Sequence, residues 1–134
     1  MEVIQFTMQY NAKTKDKDLN DYEKISIIKK MLNVKKYMSV RKKEDMIKKI
    51  IKTFITYDGK LRYSSFEKDL NTIICLIKEY TDLNIDENGY DLLCKEDLLE
   101  YVIGSFGKEY EICLGIMNTY MQDIELERIK LEDL

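Results

Sequence analysis

Residues 90–128, YDLLCKEDLLEYVIGSFGKEYEICLGIMNTYMQDIELER, decide the fold class of this chain. Apolar side chains recur first as Leu92, Leu93, Leu98, Leu99, Val102 and Ile103, then as Ile112, Cys113, Ile116, Met117, Tyr120 and Ile124. That is the spacing of helices with one buried face, so the stretch reads as two helices. Gly104-Ser105-Phe106-Gly107 lies between them and suits a helix stop with a tight return, which predicts an antiparallel helical hairpin.

Working outward, Ser64 and Glu67 have the spacing of a reciprocal N-terminal cap ahead of Phe66, Leu70, Ile73, Ile74, Ile77 and Tyr80. Residues 73–77 are wholly apolar, so this helix is expected to be the most deeply buried. Further back, Met46, Ile47, Ile50, Ile51 and Phe54 form a stripe opposite Lys48, Lys49 and Lys52, after a basic joint at 35–43 and ending near Tyr57. Asn20 with Glu23 repeats the cap spacing before Ile25, Ile28 and Leu32. Asp58-Gly59 supports a helix cap or a two-residue turn joining Ile55 and Tyr57 to Leu61 and Tyr63; the long helical pattern before it favours the cap.

Residues 2–10 alternate, with Ile4, Phe6, Met8 and Tyr10 on one face and Val3, Gln5, Thr7 and Gln9 on the other, the period of a half-buried strand. A lone strand leaves its own backbone groups unpaired, so a partner is required, from 36–40, from 60–63 or from a neighbouring subunit. The expected fold is mainly α: a compact bundle of about five helices with one short N-terminal β-strand, in a single domain spanning 1–134. A flexible connection occupies 11–20, and a charged tail, 126–134, frays or extends the last helix.

A chain of 134 residues can bury roughly two thirds of its unfolded surface, enough for a genuine core. No apolar run approaches the roughly 20 residues that cross a bilayer, and MEVIQFTMQY lacks the basic and apolar regions of an export signal. There is no His, no Trp and no Pro; one alanine and nineteen Lys against three Arg follow the bias of AT-rich codons. Without histidine, His-dependent triads, most catalytic zinc sites and His-based phosphoryl chemistry are excluded. Cys75, Cys94 and Cys113, each 19 residues from the next, match no ligand pair and read as buried thiols of a reducing compartment.

Asn84-Ile85-Asp86-Glu87-Asn88-Gly89 begins like a calcium loop, but its eighth position is Asp91 and its twelfth is Lys95, where an apolar residue and a bidentate carboxylate belong. It reads as a turn whose Asp and Asn side chains cap their own backbone. Glu96/Asp97 and Glu109/Glu111 fall on solvent faces and early helical turns, where negative charge suits the helix dipole. No catalytic residue, metal ligand, cofactor or small-molecule substrate is assigned.

Charge is segregated. Residues 29–60 carry eleven Lys/Arg and three Asp/Glu, net +8, and residues 82–134 carry fourteen acidic and four basic residues, net −10. A basic patch facing an acidic patch on a neighbour explains both halves; nucleic-acid binding is the lesser possibility, since Arg is scarce and no aromatic RNA motif accompanies the lysines. The expected interface residues are Ile4, Phe6, Met8 and Tyr10 on the strand, with Lys42, Lys43, Lys48, Lys49 and Lys52.

The layout of a short N-terminal strand, Tyr22-Glu23-Lys24, Glu79-Tyr80-Thr81-Asp82-Leu83, Tyr90-Asp91-Leu92-Leu93 with Leu98-Leu99-Glu100, and a final Lys108-Glu109-Tyr110 helix resembles small proteins in the structural modules of tailed bacteriophages of low-GC Gram-positive hosts. The resemblance implies a non-enzymatic virion or assembly protein of head, neck or tail. Such a protein acts as a homo-oligomer or multi-copy component through contacts with other virion proteins, first in the host cytoplasm and then in the particle. The alternative is a small phage or host regulator that binds nucleic acid or inhibits a host protein.

Overall fold

The computed structural model describes residues 1–58 and 60–134, and the protein is mainly α-helical. Among the described residues the helices are α1 (Val3–Thr14), α2 (Asp21–Met31), α3 (Val40–Phe54), α4 (Ser65–Tyr80), α5 (Glu87–Lys95), α6 (Leu99–Gly104) and α7 (Gly107–Glu125), with a short 3-10 turn at Leu131–Asp133. Strands β1 (Thr56–Tyr57) and β2 (Leu61–Arg62) pair antiparallel, Thr56 opposite Arg62 and Tyr57 opposite Leu61.

The N-terminal segment corrects the expectation of a strand over 2–10. Val3, Phe6, Thr7 and Tyr10 are buried and Ile4 and Met8 exposed, which is helical periodicity, so the four residues expected on one face divide two and two. Both periods are present in the sequence, and the helix was hidden because Thr7 occupies an apolar position. Inside α1 its hydroxyl donates to the Ile4 carbonyl at 2.9 Å, which removes the cost of burying it. A helix satisfies its own ladder, so no strand partner is needed; a single parallel bridge joins Glu2 to Asn84. The flexible connection shortens accordingly, because α1 runs to Thr14.

The remaining difference in helix number, seven against about five, comes from a break inside 90–103. Asp97 adopts a left-handed φ of 56°, its amide donates to the Cys94 carbonyl at 3.2 Å, and the Leu98 amide donates to the Leu93 carbonyl at 2.9 Å. These two bonds close α5, and Leu93 and Leu98 are buried on either side of the bend. At 55–63 the structure corrects the favoured helix cap. Ile55 is extended at the end of α3 and the chain forms the hairpin, while Gly59 lies outside the described residues.

The caps read from sequence are present at α2 and in part at α4. Asn20 Oδ1 accepts from the Glu23 amide at 2.8 Å while Glu23 Oε1 accepts from the Asn20 amide at 3.3 Å; at α4 the Glu67 amide donates to Ser64 Oγ at 3.4 Å. The basic joint ends earlier than expected, at Ser39, whose hydroxyl caps α3 through the Lys42 amide.

The chain divides into two compact units, each drawn from two stretches of sequence. The first combines Met1–Lys36 with Ile73–Gly107, and the second combines Tyr37–Thr72 with Lys108–Leu134, so no one cut in the chain separates them. In the first unit α1 packs on α5 and α2 on α6, around Phe6, Ile28, Leu32, Ile77, Tyr80 and Phe106. The Tyr80 and Phe106 rings stack with centroids 5.1 Å apart. The Lys35 amide donates to the Tyr80 carbonyl and the Asp82 amide to the Leu32 carbonyl, which fixes the end of α2 to the end of α4. The second unit buries Met46, Ile47, Ile50, Ile51, Met117 and Ile124.

Candidate functional site

On α1 two expected interface residues face outward and two do not. Ile4 is 62% and Met8 68% exposed, whereas Phe6 and Tyr10 are core. Ile4, Met8 and Ala12 are spaced four apart, so they form one slowly drifting apolar stripe on the outside of the helix.

The five expected lysines of α3 are not one face. Lys42 and Lys49 are exposed, and Lys52 is exposed with its ammonium donating to the Leu134 carbonyl. Lys48 is half-buried, 3.4 Å from Glu44 Oε1 and 5.5 Å from the Tyr120 ring centroid. Lys43 is a core residue, its Nζ 2.7 Å from Glu109 Oε2, so it is withdrawn from any partner surface. The same contact corrects the reading of Glu109 as a solvent-facing acid. The Tyr120 hydroxyl donates to Glu44 Oε1 at 2.6 Å, and that bond, with Lys48, holds the Glu44 carboxyl below its usual range.

Two concavities of the first unit were not read from sequence. One is a cleft of about 600 Å³ between the end of α1, the start of α2 and the α5–α6 bend. Tyr10, Lys24 and Tyr101 meet there: Lys24 Nζ is 3.5 Å from the Tyr101 hydroxyl and 5.0 Å from its ring centroid, and that hydroxyl donates to Asp21 Oδ1 at 3.0 Å. Glu96, Asp97 and Glu100 add carboxylates to the rim. The hydrogen bond with Tyr101 raises the Lys24 amine, burial raises the Tyr10 phenol against the opposing Lys24 charge, and burial with nearby Asp91 raises the Cys94 thiol. Each shift holds its proton more tightly, which is the reverse of what activates a lysine or cysteine nucleophile. Cys94 is exposed, contrary to the expectation that all three thiols are buried.

The other concavity is a shallow groove between the C-terminal turn of α1 and α2. Its floor is Ala12, Ile27 and Met31, its rim Lys13, Lys15, Lys17 and Lys30, and no carboxylate lines it. Most of these lysines lie in 11–20, where the sequence shows no period, and only the fold of α1 onto its neighbours gathers them with Lys30.

The calcium-like loop is an N-terminal cap. Asp86 Oδ1 accepts from the Gly89 amide at 2.8 Å and Asn84 Nδ2 donates to Glu2 Oε1 at 2.7 Å, while Ile85 is buried. Among the described residues no cluster of three or more Cys, Asp or Glu is placed to hold a metal ion, and no helix is long and apolar enough to cross a membrane.

Comparison with protein-family models, with curated proteins and with solved structures finds no match to this chain.

Proposed function

We propose that this protein acts by contact with other proteins, as a non-enzymatic structural or assembly component of a tailed-bacteriophage particle. The observation that carries the reading is the outer face of α1, where Ile4 and Met8 stand exposed on a helix whose opposite face is sealed. Large apolar side chains one turn apart on an ordered element are what a docked neighbour covers. The placement in a particle rests on the helical part of the sequence layout described above, its N-terminal strand having proved to be α1, and on the codon bias. As a head, neck or tail component it is present in multiple copies, assembled in the host cytoplasm and retained in the virion.

Mass spectrometry of purified particles, with cross-linking to identify neighbours, tests this. Stoichiometric recovery with cross-links to other virion proteins is the expected result; particles lacking the protein sink it. The competing reading, a regulator of nucleic acid or of a host protein, is favoured by the exposed Lys42 and Lys49 of α3. Early expression together with exclusion from particles would select it.

A further inference from the structure

We infer that the lysine-rimmed groove between α1 and α2 receives the corner Glu125, Leu126 and Glu127 of a second copy of this chain, joining copies head to tail. The inference rests on the protein-contact reading above and names its partner.

The groove presents four ammonium groups around an apolar floor, and no acid lines it. Such a surface fits a segment that offers an apolar side chain between carboxylates. The end of α7 is that segment: Leu126 is 51% exposed and stands between Glu125 and Glu127, both exposed.

The corner also carries negative charge that its own helix does not balance. The last turn of α7 has no basic residue, although the carbonyl end of a helix carries partial negative charge and is stabilised by cations. Arg128, just beyond, pairs with Asp123 at 3.4 Å, and the Tyr57 hydroxyl donates to Glu127 Oε1 at 2.9 Å. Glu125 has no ion-pair partner among the described residues, and the second Glu127 oxygen accepts no hydrogen bond there. Lysines of another copy supply the missing cations.

The backbone presents the corner firmly. Glu127 takes a left-handed φ of 58°, its amide donates to the Ile124 carbonyl at 3.1 Å and the Arg128 amide to the Asp123 carbonyl at 2.8 Å, so little conformational freedom is lost on docking. As a head-to-tail contact, in which each copy's corner enters the groove of the next, it is heterologous and propagates into a ring or a filament.

The test is sedimentation velocity on the full chain at low and high salt, with circular dichroism confirming that each variant folds. The native chain is expected to self-associate at low salt and to dissociate as salt rises. Lys13→Glu/Lys30→Glu and Glu125→Lys/Glu127→Lys are each expected to be monomeric alone, and mixing the two restores association because each then offers what the other lacks. Leu126→Ser is expected to weaken association about tenfold, the loss of one partly buried apolar side chain. A native chain that stays monomeric at low salt, a reversal that leaves association intact, or a mixture that fails to recover it overturns the inference. So does a native monomer whose groove lysines instead retard duplex DNA. Particle content separates this from the reading it rests on: a monomer found in particles defeats only the self-contact, whereas salt-dependent association of a protein missing from particles defeats only the virion role.

Discussion

Lys43 Nζ lies 2.7 Å from Glu109 Oε2, with both side chains sealed from water. The other carboxylate oxygen accepts from the Met38 amide at 2.7 Å, and the Tyr37 ring centroid stands 4.8 Å from the ammonium. One carboxylate from the first turn of α7 therefore fixes both α3 and the segment that leads into it. Attraction between the charges is offset by the cost of drying them, so what the pair supplies is register, and its loss is costly chiefly when one partner remains. Glu109→Leu, leaving a buried ammonium, is expected to destabilise by about 3 kcal/mol or more. The double replacement Lys43→Met/Glu109→Leu is expected to recover most of that, as read by urea unfolding; equal losses in single and double variants would show that the pair stabilises the fold outright.

The helical reading of the N-terminus makes an opposite prediction for neighbouring residues. Phe6 is fully buried, so Phe6→Ala is expected to cost about 3–5 kcal/mol, whereas Ile4→Ser and Met8→Ser are each expected to stay within about 0.5 kcal/mol. A strand with all four residues on one buried face would make all these substitutions severe. Denaturant midpoints of the three variants separate the two arrangements.

Gly89 allows α1 to approach α5. A Cβ built there would come within 2.7 Å of Val3 Cγ2, closer than side chains tolerate, and within 3.2 Å of Ile85 Cγ1, tighter than most such contacts. Gly89→Ala gains up to about 1 kcal/mol of helix propensity but loses about 1–3 kcal/mol to overpacking, so net destabilisation is expected. Val3→Ala in the Gly89→Ala background is expected to cost less than Val3→Ala alone, and simple additivity of the two by thermal unfolding would refute the clash.

Stability is expected to fall at both ends of the pH scale. Tyr10 and Tyr120 are raised above 10.0 chiefly by burial, and Tyr57 chiefly by its hydrogen bond to the Glu127 carboxylate. The folded state thus keeps protons the unfolded chain has released, and this contribution is whole below the ordinary tyrosine value and disappears as pH rises through the raised ones. Glu44 is lowered from 4.5, first by the Tyr120 hydroxyl, so its contribution is present above that value and disappears as pH falls through the lowered one. Tyr120→Phe is expected to flatten both flanks of a stability profile measured by urea unfolding against pH, and an unchanged acid flank would remove Tyr120 from the Glu44 site.

Asn20→Ala is expected to cost about 1 kcal/mol, since Asn20 and Glu23 satisfy each other's backbone amides at the start of α2. Glu23→Ala tests the return half of the cap, and a neutral result for both by denaturant unfolding would mean that packing alone holds the helix start.

The sequence by itself determined the helical class, the caps of α2 and α4, the apolar stripe of α3 and the absence of histidine chemistry, because each depends on residues within a turn or two of one another. The helix end at Asp97 escaped it, since this residue takes the left-handed conformation that a sequence reading expects of glycine. Tertiary structure alone decided which period of 2–10 prevailed, through the face that packs on α5. It also placed Lys43 in the core, because a carboxylate 66 residues away was there to receive it. The groove and the cleft were decided the same way: they join side chains from separate helices, and no spacing along the chain records a distance across it.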